Sequence, residues 1–489
     1  MLLGAGDVLM AVRGGQKIRS RWLQISLYAL VFSMTAATAR VVARAAGNTV
    51  LDSVGALATA TAAALVVVIA VALIVNGKTS LRPFGRIWLS VFGLMTLASL
   101  CVGLIAYNND PSEASKDLAS YVFFGSAVVM GSSRSAWSVL RGPLLLACTL
   151  SVLLAVIGVV QFRQVAVNVA AGTRLAGRDT SLNNILPVFG ILPILLFTLP
   201  WWRRAELLAI VLAWSSAVTA AVLLQSRLEF SYWVLCGLIA GAIVVTGYCT
   251  RGYRPAVNRS FIALVSAGVI VAALAMFGGT IGAQASSLLE RFDGKINKGS
   301  AYEDGALGVI GSENERWAIL ADCWNDFEWT ERIRGRGMGG SFTWLTPIID
   351  ARNENSRRER EEVLWLEDAR TFGRRQIEVG WGNPFIKGGL LLSGWMILGT
   401  VVAIVAAVRS RSPFAIACAL AVLVNGAYAV FGGDFIIGAL AKMLGAGLPI
   451  GFLLSRGWRS DPWVGILRAR PRSEPGRRIP SITEPSAQT

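Results

Sequence analysis

The stretch "RRQIEVGWGNPFIKGGLLLSG", residues 374–394, runs from a charged segment straight into an apolar one. It holds a lone acid, Glu378, followed by Gly, Trp, Gly, Asn and Pro, in a chain with no histidine. A carboxylate just outside a bilayer-entry point is a candidate general base. Its ordinary pKa of about 4.3 is low for that task at neutral pH, and partial burial against Trp381 and Phe385 would raise it. Arg374 and Arg375 would oppose the rise if they point at it, and the plain alternative is a solvated acid paired with one of them. A second set of residues has phosphate chemistry. Arg174 and Arg178 in "QFRQVAVNVAAGTRLAGRDTSLNN", and Arg227 in "LLQSRLEFSYW", carry guanidinium groups that stay charged and bind phosphate oxygens bidentately.

The elements that must position these residues are membrane helices. The chain has 489 residues, of which 54% are hydrophobic and 16% charged, which describes a multi-spanning membrane protein. A span needs roughly 20 mostly apolar residues. That rule gives about twelve candidates, near 22–43, 51–75, 86–107, 117–133, 142–161, 183–201, 205–225, 228–249, 260–281, 386–408, 413–431 and 435–455. The fourth is weak, because it is short and carries Lys116 and Asp117 at its mouth. With the N-terminus inside, the inner loops hold Lys78, Arg82 and Arg86; Arg134 and Arg141; Arg203 and Arg204; Arg251, Arg254 and Arg259; and Arg409 and Arg411. The net charge of +16 is therefore mostly topology and gives no reason to expect nucleic acid as a partner. Five of the six cysteines fall in apolar runs and only Cys323 in a polar one, so no disulfide framework is expected. The tail from 456 is rich in Pro and Ser and reads as disordered and inside.

The expected organisation is an all-α membrane bundle: spans one to nine within 1–281, an outer helical subdomain at 282–385, three further spans within 386–455 and the tail at 456–489. The outer segment holds 18 of the chain's 30 acids and 14 of its 46 bases, a mixed-charge, water-facing composition. "SENERWAILADCWNDFEW" (312–329) opens with a Ser-x-x-Glu capping box, and "NENSRREREEVLWLEDARTF" (353–372) has opposite charges at helical spacing. Between them, "RIRGRGMGGSFTW" is a Gly-rich turn, either a connector or a loop whose backbone amides face an anion. Arginines in outer loops run against the positive-inside rule, which marks Arg174, Arg178 and Arg227 as candidate ligands for a lipid-linked pyrophosphate, the alternative being interfacial arginines that snorkel to headgroups. Arg163 reads instead as a residue that snorkels to headgroups. Lys442 and Asp434 share a helix face as an ion pair, or Lys442 lines a cavity.

Several segments together resemble the O-antigen ligase and polymerase superfamily, integral-membrane glycosyltransferases of the GT-C type. The resemblance covers residues from about 140 to 400. "TRLAGRDTSLNNILPVFGILPILLF" is similar to the family's Arg-Gly-…-Asn segment, "LLQSRLEF" to its Ser-Arg pair at a span mouth, and "ENERWAILADCW…GRGMGGSF" to its Arg-Trp helix and Gly-x-Gly turn, which brings in Arg316. In "EVGWGNPFIKGGLLL", Glu378 and Val379 stand where many ligases carry His and Asn, and Gly389 falls at the motif's first glycine; Leu392 departs from the motif's last position. A competing alignment matches Gly382 and Asn383 to His-Asn and leaves no proton acceptor. Lys387 in the same stretch joins the implied pyrophosphate contacts.

The resemblance implies a bacterial inner-membrane enzyme with both termini cytoplasmic and the large loop periplasmic. Its donor would be an undecaprenyl-pyrophosphate-linked glycan, its acceptor another glycan, with membrane lipids and a chain-length regulator as further partners. The outer segment has no Asp-x-Asp motif, so arginines rather than a metal are expected to stabilise the leaving pyrophosphate, and no cofactor is expected. The ligases' histidine is missing, which favours a polysaccharide polymerase. The alternatives are an oligosaccharide ligase acting on lipid A core or protein and, in another class, a flippase for the lipid-linked glycan.

Overall fold

The computed structural model describes residues 21–36, 49–170, 190–199, 202, 204–223, 227–248, 320–321, 323–342, 380, 382–410, 412–431 and 440–455. Arg174, Arg178, Arg316 and Glu378 lie outside these residues, as do the ninth expected span, Asp434, most of 282–385 and the tail. For Arg163, Arg227 and Lys442 only the backbone is described.

Of the described residues 87% are helical, and no strand occurs among them. In chain order the helices are α1 (21–36), α2 (Thr49–Val75), α3 (Pro83–Cys101), which runs on into a π-helical turn at Val102–Ala106, α4 (Pro111–Gly131), α5 (Arg134–Ala170), α6 (Leu192–Phe197), α7 (Arg204–Leu223), α8 (Arg227–Tyr248), α9 (Trp329–Arg334), α10 (Gly382–Ser410), α11 (Pro413–Phe431) and α12 (Leu440–Leu453). Among the described residues four stretches are long and apolar enough to cross a membrane: Ser53–Val75, Pro83–Ala106, Arg134–Leu153 and Gly382–Ser410. These make the chain a helical membrane protein. At 37 residues α5 is about 55 Å long, well beyond a hydrocarbon core of about 30 Å, so its far part, which includes position 163, extends past the apolar layer.

The weak fourth span turns out to be central. Asp110 caps α4 by accepting the Ser112 N–H at 3.0 Å, and Pro111 follows at the first helical position. From there α4 packs against α2, α3, α5 and α12. It buries Tyr121, Phe123, Phe124 and the run Ala127–Met130. The α4–α12 contact is backbone against backbone: a Cβ at Gly131 would strike the Leu448 carbonyl, and one at Gly451 the Val128 carbonyl. Such a helix needs little hydropathy, because protein and not lipid surrounds it.

The bundle has two distinct ends. At one, Ser80 N–H donates to the Ser132 carbonyl (3.3 Å) and Arg82 N–H to the Leu454 carbonyl (3.0 Å), so the turns after α2, α4 and α12 meet there. These turns and the helix starts beside them carry Lys78, Arg82, Arg86 and Arg134, and this is the basic end. At the other, segment 323–342 docks onto α3, α4 and α10, and this is the docking end. Span ten was expected to begin at 386, at the edge of a separate subdomain. Helix begins at Gly382 instead, and the axis breaks at Gly389 (φ 61°, ψ −158°). The part before the break belongs to the docking site and the part after it to the span.

Candidate functional site at the docking end

The Gly-rich turn is tied into the bundle through its backbone. Gly335, Gly337 and Gly339 have φ of 73°, 79° and 78°, a left-handed conformation that glycine adopts without strain. This brings successive amides onto acceptors from three helices. Arg336 N–H donates to the Ile386 carbonyl (2.9 Å), Gly337 N–H to the Lys387 carbonyl (3.1 Å) and Met338 N–H to the Ser99 carbonyl (3.0 Å). Gly339 N–H donates to Asp117 Oδ2 (2.8 Å) and Gly340 N–H to the Gly337 carbonyl (3.0 Å). Asn109 Nδ2 donates back to the Arg336 and Met338 carbonyls, at 3.0 and 2.9 Å. The amides of 335–340 are engaged within the protein, so they do not face an anion and the turn is a docking element; the second helix that the connector reading would join, 353–372, lies outside the described residues.

At its centre is a buried ion pair. Lys387 is 1% exposed, and its Nζ lies 2.7 Å from Asp117 Oδ2 and donates to the Gly340 carbonyl at 2.9 Å. Expected as a pyrophosphate contact, Lys387 is placed by the structure inside the protein with its ammonium turned toward α4. Asp117, noted in the sequence only as a flaw in a span, is the residue that receives the turn. The signal was available, since a carboxylate at membrane depth is a functional candidate by default. Its partner lies far along the chain, and nothing local in the sequence announces it.

A second network closes the docked segment from within. Glu328 and Glu331 form a reciprocal capping box at the start of α9. Arg336 Nε and Nη2 donate to the two Glu331 oxygens (3.1 and 3.0 Å), Nη1 donates to Asp326 Oδ2 (2.7 Å) and the Ser341 carbonyl (3.0 Å), and Nη2 also donates to the Asp326 carbonyl (2.9 Å). Burial pushes the Glu331 carboxyl up, but Arg336 and the Glu328 N–H outweigh it and hold its pKa below the ordinary value. Burial likewise works against the Arg336 charge, and Glu331 and Asp326 more than restore it. The Arg336 guanidinium lies 4.4 Å from the Phe327 ring centroid. Phe327 and Trp324 stack on Phe385 at 5.5 and 5.6 Å, and Arg332 lies 4.8 Å from the Trp324 ring. Phe385 thus anchors α10 to the docked segment. Arg334 is exposed, with its guanidinium 5.7 Å from the Tyr107 ring. Burial, more than its charged neighbours, raises the Tyr107 pKa.

Of the other expected site residues, Arg227 has its backbone described, elsewhere at the same end. Arg227 is the first residue of α8. One and a half turns on, Tyr232 donates its hydroxyl to Asn425 Oδ1 (2.6 Å) and packs edge-on against Tyr428 (4.9 Å) on α11. A turn above Asn425, the Ala429 carbonyl accepts the Gly380 N–H at 2.8 Å. Arg227 is five residues from Tyr232 and Ala429 four from Asn425, about 7.5 and 6 Å along antiparallel helices. The head of α8 and Gly380 are therefore level with each other. Glu378 precedes Gly380 by two residues.

The fold and the docked turn define a helical membrane protein in which residues 323–342 are built into one end of the bundle. Comparison with known protein families, with curated proteins and with solved structures finds no match.

Proposed function

We propose that the protein is a membrane glycosyltransferase that joins undecaprenyl-pyrophosphate-linked repeat units into a polysaccharide at the outer, periplasmic face, and that the docking end is that face. The acceptor hydroxyl oxygen attacks the anomeric carbon, and the bond from that carbon to the pyrophosphate oxygen breaks with its electron pair on the leaving group. The hydroxyl proton passes to the Glu378 carboxylate, and the anomeric centre inverts. Arg227, with Arg174, Arg178 and Arg316, meets the charge on the departing pyrophosphate without a metal. The observation that supports this reading most is that the α8 head and Gly380 are level at one end of the bundle, which sets the start of α8 and the segment two residues after the proposed base at a common height. Lys387 holds the turn rather than the donor.

The test is incubation of the purified protein with a synthetic lipid-pyrophosphate oligosaccharide. A ladder of products is expected. Single transfer to an added acceptor would make the protein a ligase, and lipid translocation in liposomes without product would make it a flippase. Glu378→Gln is expected to abolish the ladder, and normal polymer from a well-expressed variant removes Glu378 from the mechanism. Arg227→Ala is expected to weaken donor binding, and unchanged donor affinity counts against its phosphate role.

A further inference from the structure

The opposite, basic end holds a buried cation whose donors are not all used. Arg141 lies seven residues into α5, about 10 Å along the helix from Arg134. It is 8% exposed. Its Nη2 donates to Glu206 in the first turn of α7, and its Cζ sits 4.9 Å from the centroid of the Trp202 ring. The Trp202 indole N–H is fixed on Thr198 Oγ1 at 3.0 Å. Arg141 Nε and Nη1 are buried and have no acceptor among the described residues. Arg336, by contrast, directs all three of its nitrogens to protein oxygens. A charged donor buried without an acceptor costs about 1–3 kcal/mol or more, and a bilayer supplies no water to relieve it.

The surroundings select the missing acceptor. The first turn of α7 presents backbone N–H groups that no helical carbonyl can take, at the positive end of a 20-residue helix dipole. Arg203 and Arg204 adjoin it in sequence, and Glu206 is the one carboxylate paired here. The place calls for anionic oxygens, and two separate orphan donors suit a phosphate, which offers several. On the next face of α5, Leu140 and Leu144, which bracket Arg141, pack with Leu27, Leu30, Val31 and Leu444 around a void of only about 20 Å³, room for about one water and not for an acyl chain.

We propose that Arg141 and the first turn of α7 form a binding seat for a phosphate group, either a phospholipid headgroup's or free phosphate. The Trp202 ring lies over the guanidinium, so the phosphate enters by swinging that ring or by displacing Glu206. The seat is at the end of the bundle opposite the docked turn and does not depend on the glycosyl-transfer reading.

The experiment uses the full chain, purified and delipidated, titrated with phosphatidylglycerol, with a diacyl galactolipid of matched chains, and with inorganic phosphate, and read by native mass spectrometry and thermal unfolding. Wild type is expected to hold phosphatidylglycerol about tenfold more tightly than Arg141→Gln does, the value of one charge-assisted hydrogen bond. Arg141→Lys, which keeps the charge, is expected to fall between them, and Arg134→Gln, at an exposed position, to match wild type. Protection by phosphatidylglycerol alone identifies a lipid phosphate and equal protection by inorganic phosphate a free one, and both support the seat. Galactolipid held as tightly as phosphatidylglycerol, with no protection by inorganic phosphate, would show that the phosphate is not recognised. Equal phosphatidylglycerol retention by wild type and both Arg141 variants would leave the guanidinium without a role. Either of these last two results overturns the proposal. If Arg141→Gln does not fold, Arg141→Lys and the wild-type comparison of the two lipids decide the matter.

Discussion

Replacing Lys387 by methionine leaves the Asp117 carboxylate buried with the Gly339 N–H as its remaining donor among the bonds described above. The two side chains are 1% and 10% exposed, so solvent does little to screen the loss. Removing one member of such a pair costs about 3–5 kcal/mol. Asp117→Asn leaves the ammonium without its counter-charge, and its cost is of the same order. The double variant Lys387→Met/Asp117→Asn carries no buried charge, and its amide oxygen still accepts from Gly339. It is expected to lie closer to wild type than the two single losses summed, with a coupling of about 3 kcal/mol, at the upper end for residues in contact. The assay is native-state hydrogen exchange at the amides of 336–339, whose acceptors are the Ile386, Lys387 and Ser99 carbonyls and Asp117 itself. At 1.4 kcal/mol per factor of ten, each single variant should speed their exchange at least about a hundredfold. Amides in the middle of α11 should keep their protection. Single variants that change turn exchange less than tenfold, or a double variant whose effect is the plain sum, would refute the claim that this pair holds the turn.

Two other perturbations probe the same docking. Gly389→Ala places a Cβ at φ 61° and against the Ile333 carbonyl, so it should cost more than the about 1–3 kcal/mol of left-handed strain alone and expose the 323–342 segment to proteolysis in mild detergent. Glu331 has a folded pKa below its ordinary value of 4.5, so its stabilisation is complete above that value and is lost as pH falls through the folded pKa beneath it. Pepsin cleavage within 323–342 should therefore rise as the pH is lowered below about 4.5, and Glu331→Gln should be cut readily at all pH values where pepsin works. A wild-type segment that stays resistant through that range would show that the Glu331–Arg336 pair does not carry the docking.

How much of this was legible in the sequence depends on what surrounds each helix. Helix bounds in apolar runs were read closely: the run expected at 413–431 is helix α11, Pro413–Phe431, which is shorter than the stretches that could cross a membrane, and that expected at 51–75 is α2, Thr49–Val75, which is one of them. The fourth span was read six residues late, at 117 rather than Pro111, because its first turns carry Lys116 and Asp117. Hydropathy assumes that lipid is the solvent, and around α4 the solvent is protein. The turn at 332–344 was recognised by its glycines, but its meaning was not, since its acceptors come from Ser99, Asp117, Ile386 and Lys387. No local pattern encodes those pairings. The break at Gly389 was legible only as a position, and its left-handed φ gives that position a physical reason.

One rule sorts the described cations of the bundle. A buried charge must have its donors satisfied, and a cation whose donors are all engaged cannot meet a phosphate without first breaking what it holds. Arg336 directs its guanidinium to Glu331, Asp326 and Ser341, and Lys387 holds Asp117 and Gly340, so both build the docking end and neither is available to a substrate there. Under the proposed function, pyrophosphate recognition at that end would fall to other cations. Arg227 heads α8 level with the Gly380 anchor, and Arg334 is exposed with one long contact to the Tyr107 hydroxyl at 3.4 Å. Arg141 differs from Arg336 and Lys387 in being both buried and incompletely bonded. Burial without satisfaction costs free energy, and the phosphate proposed above would recover it by completing the set. The proposed seat therefore lies at the basic end, where the expected outer-face arginines would not have led.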